Sequence, residues 1–137
     1  MKKIWLLILF ISALFSCSDN DINNKNPYIP KYPVNLTIDM NLPSYSNLKY
    51  MSNGVIISGY GAKGVIIFNA GSGYNAFDAA CPNQALTSCT AMTIKGINAV
   101  CSCDDTEYSL FTGLGEKEYP LIQYRVEVSG TIIHVYN

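Results

Sequence analysis

The chain has 137 residues with 9 basic and 10 acidic side chains, which gives a formal net charge of −1. This length suits one folded domain around one hydrophobic core, with room for short terminal segments. Because the sequence contains no basic patch, nucleic acid is excluded as an expected partner.

The start of the chain is typical of a secretory signal peptide. Lys2 and Lys3 precede an apolar run at 4–15, which is too short to span a bilayer. The letters ALFSC, which end at Cys17, resemble a bacterial lipobox, in which the cysteine becomes the lipidated first residue. We therefore expect a signal peptide at 1–16 and a lipid on Cys17. A soluble secreted protein and an uncleaved anchor are the alternatives.

A polar segment follows the expected lipidation site. Residues 17–33 are rich in Asn and contain three prolines, so they bury too little apolar surface to fold alone and are expected to form a tether. Asp19 and Asp21 resemble the acidic signal that sends some gram-negative lipoproteins to the cell surface. The expected location is the cell envelope, with the lipid in the outer membrane, on its periplasmic face or at the cell surface. Residues 34–137 are expected to form the domain.

The domain reads as a series of short strands. Val34, Leu36, Ile38 and Met40 alternate with polar residues, as in a half-buried strand. GVIISG and GVIIFN are joined by a glycine-rich turn, and YNAFDA, AMTIK, INAVC and EYSLF follow. IQYRVEV and TIIHVY are predicted to pair as a hairpin across Ser129-Gly130. No convincing helical period occurs after residue 20, so the predicted fold class is all-β.

Catalytic side chains are sparse. The chain has a single histidine, His134, in the last predicted strand. We expect it to be a half-exposed strand residue. No Ser/His/Asp set can be assembled around it, so the chain is not expected to be an enzyme.

Four cysteines remain if Cys17 carries the lipid: Cys81, Cys89, Cys101 and Cys103. An even number in an exported domain favours two disulfides, with three possible connectivities. The alternatives are a 2Fe–2S centre on four cysteines, structural zinc on four thiolates and a thiol pair that exchanges disulfides. The spacing C-x7-C-x11-C-x-C differs from that of a zinc ribbon, and no C-x-x-C motif favours exchange.

The cysteine segments resemble those of a Rieske iron–sulfur domain. That family has Cys-x-His, a gap of about 17 residues and Cys-x-x-His, and here the segments at 81–83 and 101–104 are separated by 17 residues. Tyr108 stands where many members carry an aromatic, and FTG at 111–113 resembles the turn after the second loop. The ending at 119–137 resembles the last two strands. The resemblance implies a small multi-sheet β domain with two cysteine loops at hairpin tips.

The departures from the family pattern concern the iron ligands. In a Rieske centre two histidines hold one iron and two cysteines hold the other. The histidine positions are here Asn83 and Asp104, the glycine after the second is Asp105, and one histidine cannot supply two ligands. The resemblance therefore implies a degenerate site that holds no cofactor, with an atypical 2Fe–2S centre as the alternative.

The resemblance also implies how the cysteines pair. Cys81 and Cys101 would bind the same iron, with sulfurs roughly 3.7 Å apart for metal–sulfur bonds of about 2.3 Å, so loss of the metal would leave them placed to bond. High-potential Rieske proteins carry a further disulfide between the loops, and Cys103 stands at the position of its second cysteine. Cys89 is the candidate for the first. Cys81–Cys101 and Cys89–Cys103 are therefore the expected disulfides.

The expected function is that of a non-catalytic envelope lipoprotein with a binding or structural accessory role. Its expected partners are the membrane, through the lipid on Cys17, and an envelope protein of unknown identity. The alternative is electron transfer through an atypical 2Fe–2S centre.

Overall fold

The computed structural model describes residue 22 and residues 24–137, and within them the chain forms nine strands and one short 3₁₀ helix. The strands are β1 (Asn35–Asp39), β2 (Gly54–Ile57), β3 (Val65–Asn69), β4 (Tyr74–Asp78), β5 (Met92–Lys95), β6 (Asn98–Cys101), β7 (Glu107–Ser109), β8 (Gln123–Ser129) and β9 (Ile132–Tyr136). The predicted all-β class is confirmed. The expected signal peptide and Cys17 lie outside the described residues.

Two antiparallel sheets make up the architecture. The larger has the order β1-β9-β8-β4-β3-β2, and the smaller has the order β5-β6-β7. The predicted alternation in β1 is confirmed, because Leu36 and Ile38 are buried and lie opposite Val135 and Ile133 of β9. One face of the β1–β9 pair therefore covers the core, and the other faces solvent.

The third strand lies between the two parts of the core. All five residues of β3 are buried, and the strand pairs with both β2 and β4. Val65 and Ile67 belong to the core cluster beneath β1 and β9, whereas Ile66 and Phe68 belong to the cluster that contains the cysteines. Successive side chains of a strand point to opposite faces, so an uninterrupted apolar run is required wherever both faces are covered.

Local details differ from the sequence-based expectation at two places. Ser129 pairs with Ile132, so the turn of the β8–β9 hairpin is Gly130-Thr131, one residue later than predicted, with Gly130 at a φ of 61°. The connection between β1 and β2, where the sequence shows no helical period, contains a 3₁₀ helix at Ser46–Lys49, whose Leu48 is fully buried. One buried leucine and a single turn give no periodic signal that the sequence could reveal.

Residue 22 and residues 24–33 are the described part of the expected tether, and the segment at 24–33 contacts the domain. The Asn24 side chain both donates to the carbonyl of Gln123 (2.6 Å) and accepts from its amide (2.9 Å). Ile29 is buried, and Asn26 donates to the carbonyl of Pro82 in the first cysteine loop (2.7 Å). Residue 22 and residues 24–137 contain no helix that is both long and apolar enough to cross a bilayer.

Candidate functional site: the paired cysteine loops

Two disulfides join the cysteine loops in the expected pairing. Cys81 and Cys101 are bonded, with their Cα atoms 5.5 Å apart, and Cys89 and Cys103 are bonded, with Cα atoms 5.0 Å apart. The two bridges differ in environment. Cys81 and Cys101 are each 1% exposed, whereas Cys89 lies on the surface. One bridge is thus part of the core, and the other holds the rim of the site.

The first loop joins β4 of the large sheet to β5 of the small sheet. Its base is closed by an antiparallel bridge between Ala80 and Ala91, with the amide of Cys81 donating to the carbonyl of Thr90 (2.8 Å). The buried Thr90 hydroxyl donates to the carbonyl of Thr87 (2.7 Å), which shapes the turn that carries Cys89. The loop therefore resembles a hairpin tip although its strands belong to different sheets.

A buried carboxylate fixes the entry to this loop. Asp78 is 1% exposed and accepts hydrogen bonds from the amides of Ala62 (2.6 Å), Lys63 (3.2 Å) and Ala80 (2.9 Å). It also accepts from the hydroxyl of Tyr124 (2.7 Å), and burial together with this carboxylate raises the pKa of Tyr124. Donors on every side satisfy the charge that burial would otherwise destabilise.

The second loop is the tip of the β6–β7 hairpin, where Val100 pairs with Glu107. The amide of Thr106 donates to the carboxylate of Asp104 (3.1 Å), and the amide of Asp105 donates to the carbonyl of Cys101 (2.9 Å). Asp105 has a φ of 58°, in the left-handed region that glycine enters freely and aspartate tolerates better than most residues. The backbone conformation explains why a glycine would suit this position.

Asn83, at the first expected histidine position, joins three parts of the site. Its Nδ2 donates to the hydroxyl of Tyr108 (2.8 Å) and to the carbonyl of Tyr119 (2.8 Å), and its Oδ1 accepts from the amide of Tyr119 (2.9 Å). We call these three hydrogen bonds the Asn83 bridge. They occupy both polar atoms of the carboxamide, so this side chain ties the first loop to β7 and to the segment before β8.

Tyr108 carries the other end of the bridge. The residue is 1% exposed, and burial raises the pKa of its phenol, so the neutral hydroxyl persists over the physiological range. Gln84 lies next to Asn83 in sequence, and its Nε2 donates to the Sγ of Cys101 (3.0 Å). The first loop therefore reaches across the site twice, once to an aromatic hydroxyl and once to a sulfur.

Asp104, at the second expected histidine position, forms an ion pair with Lys117. The hydrogen bond from Lys117 lowers the pKa of Asp104, with further lowering by the hydrogen bonds from Thr106. The same pairing raises the pKa of Lys117. Both side chains are partly exposed, so solvent screens the attraction, and the pair orients the loop more than it stabilises the fold.

His134 is a half-exposed strand residue, as expected, and lies in β9 of the larger sheet. Its Nε2 forms a hydrogen bond with the Oδ1 of Asn35 (2.9 Å), and its ring stacks on that of Tyr136 with centroids 5.0 Å apart. The nearest carboxylate oxygen, on Glu127, is 3.9 Å from its Nδ1. These partners all belong to β1, β8 and β9, whereas the cysteines lie at the end of β6 and in the loops that flank the smaller sheet.

The donor set does not fit a Rieske cluster. That centre needs two imidazoles on one iron, and the two positions hold a carboxamide engaged in the Asn83 bridge and a carboxylate paired with Lys117. The two cysteine ligands of the other iron, Cys81 and Cys101, are bonded to each other. Within the described residues, one group of possible metal ligands lies close together: the Sγ atoms of Cys81, Cys101 and Cys103 are within 4.8 Å of one another.

Comparison with solved structures places the fold. The chain is similar to a chain of the complex of reduced oxygenase and oxidized ferredoxin in carbazole 1,9a-dioxygenase, with a TM-score of 0.52 and 18% identity, covering 74% of this chain and 92% of that one. It is also similar to the ferredoxin of carbazole 1,9a-dioxygenase from Nocardioides aromaticivorans IC177, with a TM-score of 0.48 and 16% identity, covering 77% and 97%. No family model and no curated protein matches the sequence. The similarity to the chain of the oxygenase and ferredoxin complex shows that this chain has a Rieske-like fold.

Several residues of the site carry no signal in the sequence. Gln84, Lys117 and Tyr119 have no motif or spacing that points to the cysteine loops, and Asn26 lies in the expected tether. Along the chain, Gln84 is 17 residues from its partner, Lys117 is 13, Tyr119 is 36 and Asn26 is 56. Contacts between loops over such separations depend on how the two sheets pack, which periodicity does not encode.

Proposed function

We propose that this protein is a cell-envelope lipoprotein whose Rieske-like domain acts without an iron–sulfur cluster, as a binding or structural accessory module. Cys17 carries the lipid, the segment that follows links it to the domain, and the domain presents its surface to an envelope protein. The proposal assigns no reaction to the domain.

The observation that carries the proposal is that all four expected cluster-ligand positions already have protein partners. Cys81 and Cys101 are bonded to each other, Asn83 forms its bridge, and Asp104 pairs with Lys117. Binding a cluster would break these interactions, and the two histidine positions hold no imidazole that could bind the iron. The same interactions hold the two loops together, which is what a rigid scaffold for binding requires.

The contacts of residues 24–33 support the arrangement. Asn24 and Asn26 attach this segment to Gln123 and Pro82 on the domain, and Ile29 is buried beside them. Along the chain, Cys17 precedes Asn24 by seven positions. The domain would stay close to the membrane surface, where an accessory protein meets other envelope proteins.

The first experiment measures iron in the mature protein, produced with added iron and sulfide and purified without reductant. We expect less than stoichiometric iron and sulfide, no Rieske-type electron paramagnetic resonance signal after reduction, and disulfides Cys81–Cys101 and Cys89–Cys103 in non-reducing peptide maps. Stoichiometric iron with a Rieske-type or 2Fe–2S signal would contradict the proposal and favour electron transfer.

The second experiment tests the anchor. Cells that express the wild type or Cys17→Ala are fed a fatty-acid probe, and the protein is recovered from the membrane fraction. The wild type is expected to carry the probe and Cys17→Ala is expected to lack it. Cross-linking in intact envelopes then tests for a partner, which is expected to be joined to the anchored protein only. Equal probe labelling of the two proteins would show that Cys17 is not the lipidation site and would contradict this part of the proposal.

A further inference from the structure

The fold brings together sulfur atoms that are dispersed along the sequence. The Sγ atoms of Cys81, Cys101 and Cys103 all lie within 4.8 Å of one another. The Sγ of Cys89 lies outside this group of three but is bonded to that of Cys103, at 2.05 Å. Sequence spacing argues against a zinc ribbon, but metal binding depends on where the sulfurs lie and not on how many residues separate them.

Three of the four sulfurs are already near the arrangement that one tetrahedral metal ion requires, and Cys89 has to move to complete it. With zinc–sulfur bonds of about 2.3 Å and tetrahedral angles, the four thiolates around a zinc ion lie roughly 3.7 Å apart. Reduction lets the bonded sulfurs separate to this distance, and the exposed position of Cys89 leaves it room to move. We infer that, when both disulfides are reduced, the four cysteines form a binding site for one zinc ion.

The conversion balances with a dithiol as the reductant. Two dithiols reduce the two protein disulfides, and each leaves as a cyclic disulfide. The four cysteine thiols then lose their protons as they bind Zn²⁺, so the products are a tetrathiolate zinc site, two oxidised reductant molecules and four protons. The reverse reaction releases zinc and reforms the bridges, so the same cysteines hold the loops together in either redox state.

Polar groups lie beside two of the four sulfurs. Gln84 donates through Nε2 to the Sγ of Cys101 (3.0 Å), and the hydroxyl of Thr87 lies 3.4 Å from the Sγ of Cys89. Donors of this kind partly compensate the negative charge of a zinc tetrathiolate. Cys81 and Cys101 are buried, which keeps water from competing for two of the four ligand positions.

A single ion fits the sulfur positions better than a 2Fe–2S centre. In that centre the thiolates divide between two irons, so sulfurs bound to different irons are further apart than sulfurs on one ion. Here the Sγ of Cys103 lies within 4.8 Å of the Sγ atoms of Cys81 and Cys101, although Cys103 belongs to the other disulfide. This inference depends on the four sulfur positions and not on the proposed function.

The test uses the whole mature protein in detergent, reduced with a phosphine under argon and titrated with Co²⁺. Cobalt held by thiolates gives intense sulfur-to-metal charge-transfer bands and tetrahedral visible bands. We expect these bands to saturate at one ion per chain and to be lost when one equivalent of Zn²⁺ is added. Absence of a saturable signal, or uptake of two irons with two sulfides in a parallel reconstitution, would overturn the inference.

Cys89→Ser tests the fourth ligand, and Ser88→Ala, next to it on the same exposed turn, is the matched control. The affinity of Cys89→Ser for cobalt is expected to fall at least about tenfold, with a shifted visible spectrum, and Ser88→Ala should match the wild type. An unchanged spectrum and affinity in Cys89→Ser would refute the four-thiolate site.

Thermal unfolding of the reduced protein distinguishes binding by the fold from binding by an unfolded chain. An ion that binds only the folded state raises the unfolding midpoint in proportion to the logarithm of its concentration. We expect zinc to raise the midpoint of the reduced wild type and to have a smaller effect on Cys89→Ser. A midpoint that zinc leaves unchanged or lowers would refute a site built by the fold.

Discussion

Replacing Asn83 with alanine removes the three hydrogen bonds of the Asn83 bridge, which measure 2.8, 2.8 and 2.9 Å. Each is worth about 0.5–1.5 kcal/mol net, and the buried hydroxyl of Tyr108 loses its Asn83 donor. Water can reach the half-buried backbone of Tyr119 more easily, which limits the loss there. The free energy of unfolding is therefore expected to fall by about 2–4 kcal/mol, a large part of the 5–15 kcal/mol typical of a domain.

The assay is urea unfolding without reductant, so that both disulfides stay closed in every variant. Gln84→Ala is the matched control, because its side chain is adjacent and makes one hydrogen bond to sulfur, and it should cost less than about 1 kcal/mol. Asn83→Asp keeps the acceptor for the Tyr119 amide but places an oxygen against the Tyr119 carbonyl, so an intermediate loss is expected. If Asn83→Ala unfolds within about 0.5 kcal/mol of the wild type, the structural role of Asn83 is refuted.

Three further perturbations test other parts of the site. Replacing Cys89 and Cys103 together with alanine removes the disulfide between residues 14 positions apart, and the free energy of unfolding in urea should fall by about 3 kcal/mol. An unchanged free energy of unfolding would exclude the bridge. Tyr124→Phe removes the hydroxyl from the buried carboxylate and should cost about 1.5–3 kcal/mol in the same assay, and a neutral result would contradict that contact. Asp104→Asn should lower the thermal midpoint at neutral pH. Because Lys117 lowers the pKa of Asp104, this difference should vanish as the pH falls through that pKa, and a difference that persists in acid would contradict the ion pair.

The sequence by itself determined the strands and the class of fold. Alternation placed β1, and the uninterrupted apolar run of β3 matches a strand with both faces covered. These predictions succeeded because successive side chains of a strand point to opposite faces, so the order of apolar and polar residues shows directly which faces are buried. The resemblance carried by the cysteine segments added the disulfide pairing, which spacing alone left open among three connectivities.

Only the tertiary structure decided what replaces the missing histidines. Nothing near Asn83 or Asp104 in sequence identifies Tyr119 or Lys117 as their partners, because those contacts form between loops that the packing of two sheets brings together. The turn at Gly130-Thr131 was misplaced by one residue, since glycine and its neighbours permit either register until the pairing of β8 with β9 fixes it. The close approach of the sulfurs of Cys81, Cys101 and Cys103 has the same origin. Spacing along a chain limits which ligands can meet, and the packing of the loops decides which of them do.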